Sequence, residues 1–298
     1  MNNFPIPSET ELQQTLGLPH APVYHRKGGF KAVFKAENAA GVTEALKAIH
    51  IPRAQTEDEK LLRNQLIARA KREIQALGEC QSQGIVKLGT VEAKLVHLTP
   101  GDYLVYSEEM LPGESLTARL GSKTEEAEFE TLKALFLSLV ELIGALHALG
   151  YLHRDIKPDN VMDTGIAERR FVLLDMGIAY KMQGTDITQG PNPPGTLVYM
   201  APELLGPNYK DSMDFRSEIY SAALTVYVVA TRQHPFAPRP EHTFATYHRI
   251  MHISPASLAN LRPDLPTAFC NIVDRCIKKR PALRYNNLGL LEADIRKA

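Results

Sequence analysis

The pattern of apolar and polar positions divides the chain into two regions. Strand-like stretches fill the first third of the sequence, at 23–36, 42–51, 91–99 and 102–110. One helix interrupts them and is predicted from Thr56 to about Leu77. Thr56 and Glu59 form a possible capping box at its start, and Asp58 adds negative charge to its first turn.

Helical periodicity replaces the strand pattern after the Leu-Pro-Gly sequence at 111–113. Helices are predicted at about 126–149, 217–231, 242–252, 266–279 and 287–297. The chain is therefore predicted to be an α+β protein in which a small β-rich lobe precedes a larger, mainly helical lobe. The predicted divisions are a short N-terminal extension at 1–21, the first lobe at 22–110, a hinge at about 109–113 and the second lobe at 114–298.

The most apolar stretch, at 135–152, is predicted to be a buried helix. Ser138, Glu141 and His147 interrupt it and a charged segment follows it at once, which is not typical of a membrane span. The first 20 residues contain no apolar core of a signal peptide. We therefore expect neither a cleaved leader nor a membrane partner.

Charge and cysteine content limit the partners and the cellular location that we expect. Lys plus Arg and Asp plus Glu both total 34, so no global field attracts nucleic acid or anionic lipid, and neither is an expected partner. The cysteines are Cys80, Cys270 and Cys276, an odd and sparse set without metal-binding spacing. That usage favours a reducing, cytoplasmic location. The sequence does not set the oligomeric state.

Gly28 and Gly29 lie between two strand-like stretches and allow two interpretations. A glycine pair in a hairpin can form a tight turn, or it can let backbone N–H groups approach a phosphate. Taken alone, the pair favours the turn.

The stretch HRDIKPDN, at 153–160, carries the clearest candidate chemistry. Asp155, Lys157 and Asn160 supply a carboxylate, a cation and an amide oxygen on a loop that contains a proline. Such groups can accept a proton from a hydroxyl, screen a phosphate and bind Mg²⁺. The alternative is an ordinary polar loop in solvent.

Further candidate residues and motifs lie on both sides of this loop in the sequence. Asp175 comes directly after an apolar strand, and the sequence GTLVYMAPE runs from 195 to 203. In the first lobe, Lys47 lies on a strand between apolar residues and Glu73 lies on the helix that follows. A lysine in such surroundings requires a carboxylate partner, which Glu73 can supply.

Together these motifs resemble the protein kinase family over about residues 22–297. The resemblance implies a bilobal protein-kinase-like fold, with an antiparallel N lobe that carries helix C and a mainly α-helical C lobe. It also implies ATP and Mg²⁺ as cofactors and proteins as substrates.

The resemblance implies a role for each matching residue. Asp155 is the expected catalytic base, and Lys157 is expected to approach the γ-phosphate and to meet Thr196. Asn160 and Asp175 are expected to hold Mg²⁺. Lys47, paired with Glu73, is expected to position the α- and β-phosphates.

The remaining expected roles also come from the resemblance. Lys157 is typical of the Ser/Thr-specific form of the loop, and Arg154 indicates control by a phosphorylated activation loop, with Thr185 and Thr188 as candidate acceptors. Glu203 and Arg284 are expected to form a structural ion pair. The residues expected to bind the nucleotide are Gly28, Gly29, Val33, Ala45, Lys47, Glu109, Leu111 and Met162.

Three departures from the family pattern affect the expected site. The glycine-rich loop keeps its middle glycine at Gly28 but has Arg26 and Lys31 at the other two positions. Glu218 stands where the family usually has an aspartate that supports the catalytic loop. Glu108 stands at the entrance to the adenine pocket, where an apolar residue or threonine is usual.

We expect the chain to be a serine/threonine protein kinase that also phosphorylates itself. One alternative is a pseudokinase scaffold that binds nucleotide without efficient transfer, because of the altered glycine loop and Glu218. A small-molecule phosphotransferase is a second alternative, against which the GTLVYMAPE platform counts. His248 and His252 have the spacing of metal ligands on a helix, but an exposed helix face is the favoured interpretation and no structural metal site is expected.

Overall fold

The structure is a computed structural model that describes six segments of the chain, namely 4–28, 31–122, 125–176, 197–206, 214–238 and 243–298. The chain forms two compact units. The first comprises the residues up to 79 together with 86–111, and the second comprises 80–85 together with 112–298.

The first unit contains two helices and an antiparallel sheet. Among its described residues the elements are α1 (Glu9–Leu16), β1 (Val23–Gly28), β2 (Lys31–Glu37), β3 (Thr43–Ile51), α2 (Glu57–Glu79), β4 (Lys94–Leu98) and β5 (Gly101–Glu109). The strands form one sheet in the order β1-β2-β3-β5-β4. In this register Val33 lies opposite Lys47, and Lys47 lies opposite Tyr106.

Side-chain alternation gives the sheet two buried faces. Alternate residues of β2, β3 and β5, such as Phe34, Leu46 and Tyr103, pack with Phe4 and Leu12 of the N-terminal segment. The residues between them point to the opposite face, where α2 packs against the sheet. Because Lys31, Val33, Ala45, Lys47 and Glu108 occupy these intervening positions, they share the α2 face.

The second unit is mainly helical. Its described elements are β6 (Glu114–Ser115), α3 (Leu116–Ser122), α4 (Phe129–Ala148), β7 (Val161–Asp163), β8 (Phe171–Leu173), α5 (Phe215–Thr231), α6 (Thr243–His252), α7 (Leu258–Leu261), α8 (Thr267–Cys276) and α9 (Leu288–Lys297). The strands β6, β7 and β8 form a small antiparallel sheet in that order.

Helix α5 lies at the centre of the second unit. Every residue from Ser217 to Ala230 is buried, except Ser221, which is partly exposed. Helices α4 and α8 pack against it, and α9 packs against α4. A helix that is buried on all faces requires neighbours on all sides, so its mostly apolar sequence follows from its place in the core.

Backbone contacts connect distant parts of the second unit. Gly113 has a φ of 84°, and a Cβ added to it would lie 2.0 Å from the carbonyl oxygen of Asp163. Only glycine fits there, which accounts for the glycine of the Leu-Pro-Gly sequence. Residues 80–85 join this unit because Leu173 donates its N–H to the Gly84 carbonyl, and Arg169 donates to that of Ile85.

The long predicted elements match the observed ones closely. The predicted helices at 126–149, 217–231, 242–252, 266–279 and 287–297 correspond to α4, α5, α6, α8 and α9, and the helix from Thr56 corresponds to α2. The apolar strand predicted before Asp175 corresponds to β8, whereas the short elements α1, α3, α7, β6 and β7 were not predicted. Among the helices that the structure describes, none combines the length and apolar character needed to cross a membrane.

Candidate active site

The candidate catalytic loop lies between α4 and β7. It ends in a helical turn, Pro158–Asn160, in which Asn160 donates its N–H to the carbonyl of Lys157 at 3.0 Å. Proline suits the first position of such a turn because its missing N–H has no partner to lose there. The turn points the side chain of Asn160 back into the loop.

Asp155 accepts hydrogen bonds from Lys157 and Asn160, the two other candidate residues of the loop. Lys157 Nζ donates to Asp155 Oδ2 at 2.8 Å and to Oδ1 at 3.1 Å. Asn160 Nδ2 donates to Oδ2 at 2.8 Å and to the Asp155 carbonyl at 2.9 Å. The Asp155 side chain keeps 21% of its surface exposed, so this fixed carboxylate remains accessible to solvent.

Glu218 of α5 fixes the backbone just before Asp155. Its buried carboxylate accepts the N–H of His153 and the N–H of Arg154, each at 2.7 Å. Burial raises the pKa of Glu218, and the two N–H donors act against that shift. Arg154 has a φ of 66°, an unusual value for a non-glycine residue that this anchoring supports.

His153 connects the catalytic loop to the segment that carries Asp175. Burial lowers the pKa of His153 to about 4, so its ring is neutral at pH 7. Nδ1 accepts the N–H of Asp155 at 3.3 Å, which leaves the proton on Nε2 to donate to the Leu174 carbonyl at 3.2 Å. The ring therefore has one tautomer and bridges the two segments.

Asp175 lies two residues beyond the end of β8, beside the catalytic loop. The N–H of Leu174 donates to the carbonyl of Asn160 at 2.6 Å, which brings the next residue close to the Asn160 backbone. Asp175 has a φ of 52°, and Met176 after it is buried. This apolar residue keeps the position filled where the family has phenylalanine.

Glu203 and Arg284 form the predicted ion pair of the second unit. Arg284 Nη1 donates to Glu203 Oε1 at 2.6 Å and Nη2 donates to Oε2 at 2.8 Å, the paired geometry that guanidinium favours. Arg284 also donates to the carbonyls of Arg216, Lys278 and Lys279. These bonds satisfy a fully buried guanidinium.

In the first unit, Lys47 has a carboxylate neighbour that was not predicted. Its Nζ lies 2.5 Å from Glu108 Oε2, and both side chains are almost completely buried. Glu73 of α2 lies 3.8 Å from Lys31 Nζ. The expected pairing of Lys47 with Glu73 stays a prediction.

The residues expected to bind the nucleotide differ in burial and in the element that carries them. Gly28 is exposed at the end of β1, and Val33 and Ala45 are buried on the α2 face of the sheet. The Glu109 carboxylate accepts the N–H of Lys87 at 2.7 Å. Leu111 is half-buried at the end of the first unit, and Met162 is half-buried on β7 of the second.

Some candidates lie outside the described residues, namely Gly29, Thr185, Thr188 and Thr196. The structure does describe His248 and His252, whose rings lie 4.9 Å apart on α6. Within the described segments, no group of three or more His, Cys, Asp or Glu residues gathers to hold a metal ion.

Comparison with known families identifies the chain. The model of the protein kinase domain matches residues 27–294, nearly its whole length. The chain belongs to the protein kinase family. This confirms the family resemblance on which the expected roles rest.

The curated relatives of this kinase-family chain include proteins of Mycobacterium tuberculosis. It is 28% identical over 277 residues to the serine/threonine-protein kinase PknH, a match that covers 89% of the chain and 40% of PknH. It is 26% identical over 272 residues to the serine/threonine-protein kinase PknE, which covers 90% of the chain and 44% of PknE. The chain spans less than half the length of these relatives.

Solved structures confirm the predicted fold class. The crystal structure of the Mycobacterium tuberculosis PknI kinase domain matches with a TM-score of 0.63 at 19% sequence identity. The match covers 92% of this chain and 94% of that structure. The α+β kinase fold, with a five-stranded antiparallel sheet in one unit and helices in the other, is therefore the fold of this chain.

Proposed function

We propose that the protein is a serine/threonine protein kinase that transfers the γ-phosphoryl group of ATP to hydroxyl groups of protein substrates, including its own. The observation that carries the proposal is the Asp155 carboxylate, which is held by both Lys157 and Asn160 on a loop anchored by Glu218. Membership in the family, and relatives that are named serine/threonine-protein kinases, support the same activity.

Asp155 is proposed to accept the proton of the substrate hydroxyl. A general base must be fixed within hydrogen-bond reach of the proton that it removes. The donors on Lys157 and Asn160 restrict the carboxylate to one orientation, while its exposed part remains accessible. Lys157 also provides a cation beside Asp155 for the charge of the transferred phosphoryl group.

Asn160 and Asp175 are proposed to hold Mg²⁺. This ion is usually bound by one or two carboxylates together with phosphate oxygens, so one carboxylate and one amide oxygen suit it. The hydrogen bond from Leu174 to Asn160 brings the two residues near each other in the second unit. When bound, Mg²⁺ supplies positive charge that offsets the charge of the nucleotide phosphates.

The first unit is proposed to bind the nucleotide itself. Lys47 is assigned to the α- and β-phosphates together with Glu73, and Gly28 and Gly29 are assigned to the phosphates. Val33, Ala45, Glu109 and Leu111 are assigned to the base by resemblance, as is Met162 from the second unit. Thr185 and Thr188 are the proposed sites of phosphorylation.

The cytoplasm is the proposed location, because the cysteines are few and the described structure leaves all three free and buried. Protein substrates are the proposed partners. Neither proposal identifies a particular substrate.

A transfer assay tests the proposed activity. The chain is incubated with Mg²⁺ and radiolabelled ATP, alone and with a generic basic protein, and label on serine and threonine is measured. Replacing Asp155 by Asn keeps the shape of the side chain but removes the base, so the rate should fall by at least about a hundredfold.

Asp159→Asn is the matched control for this assay. Asp159 is exposed on the same loop, and its replacement removes one carboxylate without touching Asp155. The control should therefore retain most of the wild-type rate. Tight ATP binding by the wild type, with no more transfer than Asp155→Asn shows, would indicate a pseudokinase and contradict the proposal.

A further inference from the structure

Lys47 and Glu108 form a buried ion pair on the α2 face of the sheet. Lys47 on β3 lies directly opposite Tyr106 on β5, so Glu108 occupies the diagonal position two residues further along the same face. Lys47 Nζ lies 2.5 Å from Glu108 Oε2, and the two side chains are only 4% and 2% exposed. The contact is thus built into the strand register.

Burial makes this contact stronger than an ion pair at the surface. Little water reaches either group, so each charge depends on its neighbours in the protein for compensation. Hydrogen bonds between an ammonium and a carboxylate are short and strong in such surroundings. Any other anion that approaches Lys47 must share the ammonium with Glu108 or replace it.

A second departure from the family pattern lies beside this pair. Lys31, at a position where the family has glycine, lies 3.8 Å from Glu73. Its side chain is 23% exposed and that of Glu73 is 7% exposed. Lys31, Lys47, Glu73 and Glu108 together form what we call the lysine cluster, in which two cations face two carboxylates and the formal charges cancel.

The charges that Glu108 and Lys31 add to the site therefore have opposite signs and cancel. Glu108 adds a negative charge next to the lysine that is assigned to the phosphates, and Lys31 adds a positive charge next to the glutamate of α2. A triphosphate approaching a cluster without net charge meets less attraction than it would at a cluster that lacks Glu108.

We propose that Glu108 is a positioning residue that competes with nucleotide phosphate for Lys47 and thereby sets the affinity for ATP. The proposal rests on the proposed function, because it assumes that Lys47 binds phosphate. Glu108 holds the ammonium in place before nucleotide arrives, and its charge opposes the phosphates when they arrive. Removing that charge therefore tightens the binding of ATP through Lys47 more than it changes the binding of ligands without phosphate.

Isothermal titration of the full chain with two ligands tests this inference. Mg-ATP and adenosine are each titrated into the wild type and Glu108→Gln, a variant that keeps the shape of the side chain and removes its charge. Glu108→Gln should lower the Kd for Mg-ATP by about tenfold, because one charge-assisted contact that competes with the phosphates is lost. The Kd for adenosine should change by less than about twofold, because adenosine carries no phosphate for Lys47 to bind.

Steady-state kinetics give a second measurement. The KM for ATP should fall in Glu108→Gln while kcat stays within about twofold of wild type, since the change removes a competitor in the ground state. A purely structural defect would instead lower the melting temperature and kcat together.

Two further variants control the experiment. Glu44, on β3, is another buried carboxylate of the same sheet. It accepts hydrogen bonds from Ser107, Thr90 and Asn38. Glu44→Gln makes the same chemical change away from the described contacts of Lys47 and should not tighten ATP selectively. In a Lys47→Met background, Glu108→Gln should change the affinity for ATP much less, because no ammonium is left for the two anions to compete for.

The outcomes separate the inference from the proposed function. If the wild type binds Mg-ATP and Glu108→Gln binds it equally or less tightly, or shifts ATP and adenosine alike, the competition is disproved and the kinase proposal stands. If folded wild-type protein binds no Mg-ATP, the proposed function fails and the inference fails with it.

Discussion

At the scale of single residues, Glu218 shows how one extra methylene is accommodated. The family usually has aspartate at this position, and the longer side chain still reaches the N–H groups of His153 and Arg154, each at 2.7 Å. The family resemblance indicated which position supports the catalytic loop, but it left open whether a glutamate there could do so. The accommodation depends on the distance between α5 and the loop, which no sequence pattern contains.

Glu218→Ala should destabilise the second unit and slow the proposed transfer. The change leaves two backbone N–H groups without their acceptor at a buried site, a loss of about 2–4 kcal/mol. The free energy of unfolding can be measured by urea titration with circular dichroism, because the chain has no tryptophan for fluorescence.

Glu218→Asp is the conservative variant for this experiment. It keeps a carboxylate and should restore most of the lost stability and rate. An alanine variant as stable and as active as wild type would show that Glu218 does not support the loop.

At the scale of elements, the N-terminal segment is an integral part of the first unit. Leu12 of α1 is completely buried in the core of the sheet. Tyr103 donates its hydroxyl to the carbonyl of Pro5 at 2.7 Å, and Lys27 Nζ donates to that of Phe4 at 2.8 Å. Strand β1, which leads to the glycine pair, is therefore tied to the N-terminal segment.

Leu12→Ala should destabilise the first unit by about 2–4 kcal/mol, because it leaves a cavity in the core. Leu61→Ala is the matched control. Leu61 on α2 is 60% exposed, so its replacement should cost less than about 0.5 kcal/mol. Urea unfolding of both variants measures the difference, and equal losses would contradict the packing of α1 seen in the structure.

The elements also show where sequence patterns fail. Long helices such as α4 repeat their apolar face over several turns, so their periodicity was sufficient for prediction. Helix α1 has eight residues, too few for a clear repeat, and β7 has only three residues. Such short elements are determined by contacts with residues that are distant in the sequence.

At the scale of the whole molecule, the order of motifs was sufficient to predict the family. The partners of individual charges were not predictable to the same degree. Glu203 and Arg284 were paired correctly because the family pairs them. The contact between Lys47 and Glu108 could not be predicted, because it depends on which strands are neighbours and in which register.

The stability of the molecule should fall in mild acid, and His234 contributes to this. Its Nδ1 accepts the N–H groups of Phe236 and Ala237 at 3.1 Å and 3.0 Å, so protonation there would break both bonds. Burial lowers the pKa of His234 to about 4 in the folded protein. The unfolded chain then binds more protons than the folded chain below about pH 6.5, and stability is lost as the pH falls from there towards 4.

His234→Asn tests this pH dependence. The Asn side-chain oxygen can accept the same N–H groups but does not take up a proton. The free energy of unfolding, measured in urea at pH 7.5 and pH 5, should fall less in the variant than in the wild type. The difference between the two proteins should be at most about 1.4 kcal/mol for each pH unit below 6.5. Identical losses in the two proteins would exclude His234 as a source of the acid sensitivity.

The central position of α5 has a consequence for how this chain can vary in evolution. Helices at the surface can exchange their solvent-facing residues with little effect, but α5 is buried on nearly every side and has almost no such positions. A larger side chain there would displace α4 or α8, and a smaller one would leave a void. Substitutions in α5 can therefore persist mainly in combination with changes in its neighbours, so sequence drift in the second unit is linked across helices that are far apart along the chain.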